Sequence, residues 1–205
     1  YHEDIDVVSF TGSSKTGKII MANAADTIKH VSLELGGKAP AIVFADADID
    51  KAIAEIKRGA LALNGQMCTC ISRVLVQDAV YDGIKLRLRG AFENTIIGDA
   101  RQPGVELGPI IDGANQDRLL NIIESADQET NMVVRGSAGG NDLTQGYFVT
   151  PSMFEIEDVT HDLVQDELFG PIVSIERFST EAEAIEKSNA TRFGLAASVY
   201  TRDLD

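Results

Sequence analysis

The segment Leu33–Lys38, with the sequence LELGGK, largely decides the fold because it ends a strand on an acidic residue and then breaks the backbone pattern. His30–Leu35 is predicted to be a strand, and Gly36–Gly37 to end it. Glycine has no Cβ, so backbone at this break can approach a ligand closely. The apolar run Ala41–Phe44 then predicts a second strand, buried on both faces. Glu34 is therefore expected at the carboxyl end of a strand, beside space for a ligand.

Strand-like and helix-like segments alternate on both sides of this segment. This alternation predicts an α/β fold built on a parallel sheet. The predicted strands are 6–10, 30–35, 41–44, 73–76, 132–134, 147–150, 152–156, 171–178 and 195–200, and the predicted helices are 15–25, 50–63, 80–96, 115–126 and 180–189.

Composition excludes several classes of function. The 205 residues carry a net charge of −14, which argues against binding to nucleic acid or to anionic membrane surfaces. No apolar run approaches the roughly 20 residues that span a bilayer, and the first residues do not resemble a signal peptide. Two cysteines one residue apart do not form a secreted disulfide framework, so a cytoplasmic location is expected. The three histidines are not arranged for a metal site.

The segment Asn64–Cys68, with the sequence NGQMC, places a thiol in a polar loop that contains glycine. Taken alone, Cys68 is more simply explained as a buried structural cysteine. Glu34, taken alone, is more simply explained as a glutamate that points outward from a strand edge. Together, however, a thiol that attacks carbon and a carboxylate that activates water are the groups that thioester-forming catalysis needs.

Two further segments have the character of binding sites. Phe10–Ser13, FTGS, joins a predicted strand to a helix, and a helix N-terminus is suited to phosphate. Its simpler interpretation is an ordinary capped helix. Glu167–Pro171, ELFGP, precedes a predicted strand, and its simpler interpretation is a surface acid followed by a core phenylalanine.

These four segments occur in the order in which the aldehyde dehydrogenase superfamily carries its motifs, and the chain resembles that superfamily over most of its length. One position departs from the pattern. Many members carry asparagine five residues before the nucleophile, where this chain has Leu63 followed by Asn64.

The resemblance implies a mechanism and a set of site residues. Cys68 would be the nucleophile and Glu34 the general base, and the oxyanion would be held by the Cys68 backbone N–H and an asparagine side chain. NAD or NADP would accept the hydride from a small aldehyde. The residues implied to contact the cofactor are Gly12 and Ser13 beside its pyrophosphate, Leu35 and Gly36, and Glu167 and Phe169 at the nicotinamide ribose.

The resemblance also implies a domain division and a larger parent enzyme. Residues 1–34 would be the last part of a Rossmann-like cofactor domain, and 35–205 most of a three-layer catalytic domain that is incomplete at its C-terminus. The chain is under half of the family's usual length, so the isolated chain is expected to be inactive. The resemblance also implies that the parent enzyme is a homodimer or homotetramer. Two alternatives stay open: an incompetent fold fragment or interaction module, and a cofactor-independent thiol esterase. Similarity to a redox-sensitive pair in some succinate-semialdehyde dehydrogenases also implies a reversible Cys68–Cys70 disulfide.

Overall fold

The computed structural model describes residues 2–139, 143 and 145–203. The chain forms two compact units, Tyr1–Gly37 and Lys38–Asp205. The structure thus divides after the Gly36–Gly37 break, slightly later than the predicted division after residue 34. Each unit has its own sheet.

The first unit is a single β–α–β arrangement. Strands β1 (Val7–Thr11) and β2 (His30–Glu34) are parallel neighbours, and helix α1 (Ser14–Ala25) connects them. Their register pairs Thr11 with Glu34, so both strands end at the same edge. Helix α1 begins after Ser13, whose side chain accepts a hydrogen bond from the Thr16 N–H at 3.2 Å. This bond satisfies one of the N–H groups that a helix start leaves unpaired.

The second unit is built on a six-stranded sheet with the strand order β5-β6-β7-β4-β3-β8. All neighbours are parallel except β5 and β6, so the predicted parallel sheet is in fact mixed. No crossover helix lies between β5 and β6 among the described residues of that connection, and a connection without one allows antiparallel pairing. The strands are β3 (Ala39–Val43), β4 (Ile71–Gln77), β5 (Asn131–Val134), β6 (Ser152–Glu155), β7 (Ile172–Phe178) and β8 (Ser198–Tyr200).

Helices cover both faces of this sheet, which gives the three layers that were predicted. One face carries Ala41, Val74 and Ile175 and packs against α2 and α3. On the opposite face, Leu75 and Phe178 pack against α6, and Phe154 packs against α4 and α5. Every residue of β3 is buried, as expected for a strand covered on both sides. The helices are α2 (Ile49–Leu61), α3 (Tyr81–Glu93), α4 (Gly113–Glu129), α5 (Asp162–Gln165) and α6 (Glu181–Ser188).

Some predicted elements are wrong in extent or kind. The predicted strand 147–150 is not a strand, because its backbone bonds go to loop residues: Ile110 N–H donates to the Tyr147 carbonyl and Thr150 N–H to the Ser137 carbonyl. The predicted strand 195–200 shortens to β8, and the short helix α5 was not predicted. Within the described part of the chain, no helix is both long and apolar enough to span a bilayer.

Candidate active site

Three of the segments singled out from the sequence lead into neighbouring strands of the second unit. Lys38 precedes β3, Cys68 lies shortly before β4, and Glu167 lies shortly before β7. Since β7, β4 and β3 are adjacent and parallel, these segments lie at one edge, at the amino ends of the strands. Open α/β sheets more commonly bind ligands at the carboxyl ends.

The cysteine loop is a short sequence of left-handed and turn conformations. Leu63, Asn64 and Gly65 have φ values of 46°, 58° and 71° within a 3-10 turn. The Cys70 N–H then donates to the Met67 carbonyl at 3.0 Å, which closes a turn around Cys68. This turn leaves Cys68 half-buried with a free thiol.

The two cysteines differ in environment. Cys70 is buried, and its thiol donates to the Ala62 carbonyl at 3.3 Å. Burial raises the pKa of the Cys70 thiol, which disfavours its reactive thiolate form. Cys68 is therefore the better placed of the two for attack on a substrate.

Contacts with two other segments fix the cysteine loop. The Asn64 side-chain amide donates to the carbonyls of Gly108 at 2.9 Å and Pro109 at 2.8 Å. The Gln66 side chain accepts from the Ile111 N–H at 3.0 Å. A Cβ on Gly65 would lie only 2.2 Å from the Gly170 carbonyl oxygen, so only glycine allows this approach. The loop thus contacts the backbone that follows Glu167 and Phe169.

The turn at Phe169 is strained and is held from helix α4. Phe169 has a φ of 54°, in the left-handed region that non-glycine residues rarely adopt, at a typical cost of about 1–3 kcal/mol. Arg118 donates to the Leu168 carbonyl, and the Asn115 side chain donates to the Phe169 carbonyl at 3.4 Å. Phe169 is 42% exposed, whereas Glu167 before it is half-buried. Sequence reasoning missed Asn115 and Arg118, because only the fold brings them to this turn.

An open groove of about 690 Å³ lies along the cysteine loop and the Phe169 turn. Cys68 itself does not belong to the groove's lining among the described residues. A larger groove of about 830 Å³, between α4 and the start of α5, contains none of the predicted site residues. The first groove is lined by Leu63, Asn64, Gln66, Ala100, Glu106, the segment Gly108–Ile111 and Phe169.

In the first unit, the predicted residues meet at the carboxyl edge of β1 and β2. The Gly12 N–H donates to the Glu34 carbonyl at 3.0 Å, and Ser13 caps helix α1. The Glu34 side chain is exposed. Leu35 packs on Gly17, where a Cβ would lie 2.7 Å from a Leu35 methyl, and Gly36 follows half-buried. Gly12, Ser13 and Glu34 therefore lie together, whereas Leu35 faces the helix.

A buried charge cluster lies behind the amino edge of the second sheet. Arg73 and Glu176 form a two-bond ion pair, with Nε–Oε1 and Nη2–Oε2 distances of 2.9 and 2.7 Å, and Ser174 donates to Glu176 at 3.1 Å. Lys38 is 3% exposed, and its Nζ has no hydrogen-bond partner among the described residues. Burial, together with the charge of Arg73, lowers the pKa of Lys38 to about 7. Sequence reasoning did not single out Lys38, because a lysine after Gly-Gly resembles a surface residue.

The described part of the chain contains no group of three or more histidine, cysteine or acidic side chains that could hold a metal ion. The groups singled out as candidates for chemistry are the thiol, the carboxylates and the backbone donors. In the second unit, the geometry brings the thiol loop and the Glu167 turn together at one sheet edge. In the first unit, it brings Glu34 together with the Gly12–Ser13 helix entry.

Comparison with known proteins finds similar sequences and similar structures. The chain is 38% identical over 204 residues to the chloroplastic betaine aldehyde dehydrogenase of Beta vulgaris and 41% identical over 209 residues to aldehyde dehydrogenase 1A1 of Gallus gallus. Each alignment covers 100% of the chain, but only 41% and 40% of those two proteins. The crystal structure of betaine aldehyde dehydrogenase from Staphylococcus aureus in complex with NAD+ superposes with a TM-score of 0.94 at 36% identity, covering 99% of this chain and 41% of that one.

The chain thus spans about two fifths of the length of the relatives that it matches. The profile described as the aldehyde dehydrogenase family matches residues 1–205, the whole sequence. The chain belongs to the aldehyde dehydrogenase family.

Proposed function

We propose that this chain carries the nucleophile, the general base and the nicotinamide-ribose contact of an enzyme that oxidises an aldehyde to a carboxylic acid with NAD or NADP. The observation that carries the proposal is the contact of Gly65 with Gly170, which holds the Cys68 loop against the Glu167–Phe169 turn. The Cys68 thiol would be the nucleophile. The Glu167 carboxylate, on the turn that this loop contacts at the same sheet edge, would bind the cofactor.

Cys68 acts first in the proposed reaction. Its thiolate adds to the aldehyde carbon, and the carbonyl oxygen takes up the negative charge beside the Cys68 backbone N–H. When bound, NAD(P)+ would accept the hydride that leaves this carbon. The carbon is thereby oxidised and remains attached to Cys68 as a thioester.

Glu34 acts second. Its carboxylate removes a proton from water while the water oxygen adds to the thioester carbon. The carbon–sulfur bond then breaks, which releases the acid and frees the Cys68 thiol. The exposed side chain of Glu34 is compatible with a base that must exchange its proton with solvent.

Features of the first unit fit a dinucleotide. The first turn of α1 has no acidic residue, and Lys15 and Lys18 are exposed on this helix, so its start favours an anionic pyrophosphate beside Gly12 and Ser13. Glu167 would accept hydrogen bonds from the ribose hydroxyls, with Phe169 beside that ribose. In the aligned Staphylococcus aureus enzyme the bound cofactor is NAD+.

The nucleophile can be tested on this chain without cofactor. Incubation with p-nitrophenyl acetate should release nitrophenolate and leave an acetyl group on Cys68, as peptide mass mapping would show. Cys68→Ser should abolish the acetylation, while the matched variant Cys70→Ser should retain it. An acetyl group found on Cys70 instead would contradict the assignment.

The cofactor part needs a separate measurement. Calorimetric titration with NAD+ should give weaker binding for Glu167→Gln than for the wild-type chain, because an amide is a poorer acceptor for ribose hydroxyls. Equal affinity for both would contradict the role of Glu167. No binding to either would support the alternative of a catalytically incompetent fragment.

Three finer points belong to the proposal. The aldehyde is a small molecule, the parent enzyme is a homodimer or homotetramer, and its location is cytoplasmic. Relatives named as chloroplastic and peroxisomal exist, so fractionation of the source cells is needed to test the location. Light scattering of the purified parent would test the assembly.

A further inference from the structure

The Asn64 side chain connects the cysteine loop to backbone that lies 44 and 45 residues further along the chain. Its amide nitrogen donates to the Gly108 carbonyl at 2.9 Å and to the Pro109 carbonyl at 2.8 Å. Both partners are carbonyl oxygens, which only accept hydrogen bonds, so the nitrogen of the side chain and not its oxygen must face them. Asn64 is 7% exposed, and its amide has an acceptor within the protein for each of its two hydrogens.

The backbone at Asn64 adds a second requirement. Its φ is 58°, between Leu63 at 46° and Gly65 at 71°, so three consecutive residues are left-handed. Glycine adopts this conformation without strain, and asparagine and aspartate adopt it more readily than most other residues with a side chain. Of these three residue types, only asparagine has a side chain that donates two hydrogen bonds. Asparagine therefore meets both requirements of the position, whereas glycine or aspartate meets only one.

A further hydrogen bond joins the same two segments closer to Cys68. The Gln66 side chain, two residues before Cys68, accepts from the Ile111 N–H at 3.0 Å. Two bonds from Asn64 and one to Gln66 thus hold the cysteine loop against residues 108–111, and Cys68 directly follows this junction in the loop. Catalytic groups depend strongly on such support, because a misplacement of about 1 Å can lower a rate about 100-fold.

We propose that Asn64 is a positioning residue for the nucleophile: its amide holds the cysteine loop on Gly108 and Pro109, so that the Cys68 backbone N–H is in place to stabilise the oxyanion. The proposal rests on the role given to Cys68 above. Asn64 acts through the backbone of the loop and touches neither substrate nor cofactor. The N–H is the group that depends on Asn64, because it moves with the backbone, whereas the thiol can reorient about its Cα–Cβ bond.

Two reactions of Cys68 distinguish this role from a merely structural one. With p-nitrophenyl acetate, the thiolate adds to the ester carbon, the carbonyl oxygen becomes an oxyanion, and the bond from that carbon to the nitrophenolate oxygen then breaks. With iodoacetamide, the thiolate displaces iodide and no oxyanion forms. Both rates depend on the fraction of thiolate, so a change in that fraction largely cancels in the ratio of the acylation rate to the alkylation rate.

Asn64→Gly keeps the left-handed backbone and removes the amide. Its ratio of acylation to alkylation should be about 10- to 100-fold below that of the wild type, since complete loss of an oxyanion donor costs about 10²–10³ in rate and displacement only weakens this donor. Asn64→Asp, which places an acceptor opposite two carbonyls, should lower the ratio at least as far. The matched control Asn94→Gly removes an amide that donates to Gly90 on α3 and should keep the wild-type ratio. An unchanged ratio in Asn64→Gly would overturn the positioning role.

The wild-type chain gives a second readout that needs neither a substitution nor an ester. In NMR spectra of isotope-labelled protein, both side-chain amide hydrogens of Asn64 should be protected from exchange with water. Free exchange of this amide would overturn the proposal, even where Asn64→Gly does not fold. A protected amide in a wild-type chain that p-nitrophenyl acetate does not acylate at Cys68 would instead overturn the nucleophile role on which the proposal rests.

Discussion

Replacing Lys38 with methionine should remove a large pH dependence from the stability of the second unit. Burial lowers the folded-state pKa of Lys38 from 10.5 to about 7. Between these two values the unfolded chain binds a proton at Lys38 that the folded chain has lost. The free energy of unfolding of the wild type must therefore rise with pH over this window and be flat below it.

The magnitude follows from the same shift. One pKa unit corresponds to about 1.4 kcal/mol, so the full window contributes at most about 5 kcal/mol, and the interval from about pH 7 to about pH 9 contributes about 2–3 kcal/mol. Lys38→Met has no such group, and its side chain has a similar length and no charge to desolvate. We therefore expect Lys38→Met to be more stable than the wild type near neutral pH, with the difference shrinking as the pH rises.

Urea unfolding followed by circular dichroism at several pH values between about 6 and 9.5 measures this difference. Lys51→Met serves as the matched control, since Lys51 is exposed on α2 and its removal should leave the pH profile of the wild type unchanged. The difference in unfolding free energy between the wild type and Lys38→Met is the quantity of interest, because all other titrating groups cancel in it. If that difference stays constant across the range, the reasoning about Lys38 is refuted.

Further predictions concern the cysteine loop and the base. Gly65→Ala should destabilise the chain more than Gly104→Ala does. Both glycines have a positive φ, 71° and 84°, but only at Gly65 would a Cβ meet backbone atoms. The control Gly104→Ala should lower the free energy of unfolding in urea by about 1–2 kcal/mol, because it introduces only the unfavourable φ. Equal losses of unfolding free energy in the two variants would show that the close approach of Gly65 to Gly170 is unimportant. Sub-stoichiometric iodoacetamide should label Cys68 before Cys70, and peptide mapping that finds the reverse order would exclude Cys68 as the nucleophile. Peroxide should join the two cysteines in a disulfide that dithiothreitol reverses; oxidation of Cys68 to sulfinic acid with Cys70 intact would count against it. Glu34→Gln should be tested in an enzyme of full family length that carries this sequence. The variant should still give a burst of NADH, followed by a slower steady rate of turnover. If the burst and the steady turnover both disappear while the fold is intact, Glu34 has another role.

The fold could be predicted well where the residues of a single segment already indicate how that segment is buried. The run Ala41–Phe44 indicates a strand covered on both faces, and β3 lies there, fully buried. Pro171–Phe178 likewise corresponds to β7. Prediction failed for 147–150, where the composition favours a strand but the backbone bonds to loop residues that are distant in sequence.

For the proposed site, the sequence singles out candidate segments but does not show their contacts. The loop of Cys68 and the turn of Glu167 were singled out in this way, and the fold places both at the amino edge of the second sheet. The sequence could not show that Arg118 and Asn115 hold that turn, because these contacts depend on how α4 packs. Nor could it show that Leu63 and Asn64 adopt left-handed conformations, since neither residue type requires one.

The two units place their candidate residues at different kinds of sheet edge. In the first unit Glu34 ends β2 at a carboxyl edge, whereas in the second unit Lys38 directly precedes β3 at an amino edge. Gly36 and Gly37 lie between them and end the first unit. One short segment therefore supplies the proposed base to one unit and a buried cation to the other. A substitution at Glu34 should accordingly slow the proposed thioester hydrolysis, whereas one at Lys38 should change the pH dependence of the stability of the second unit, because the two ends of the segment carry different charges in different surroundings.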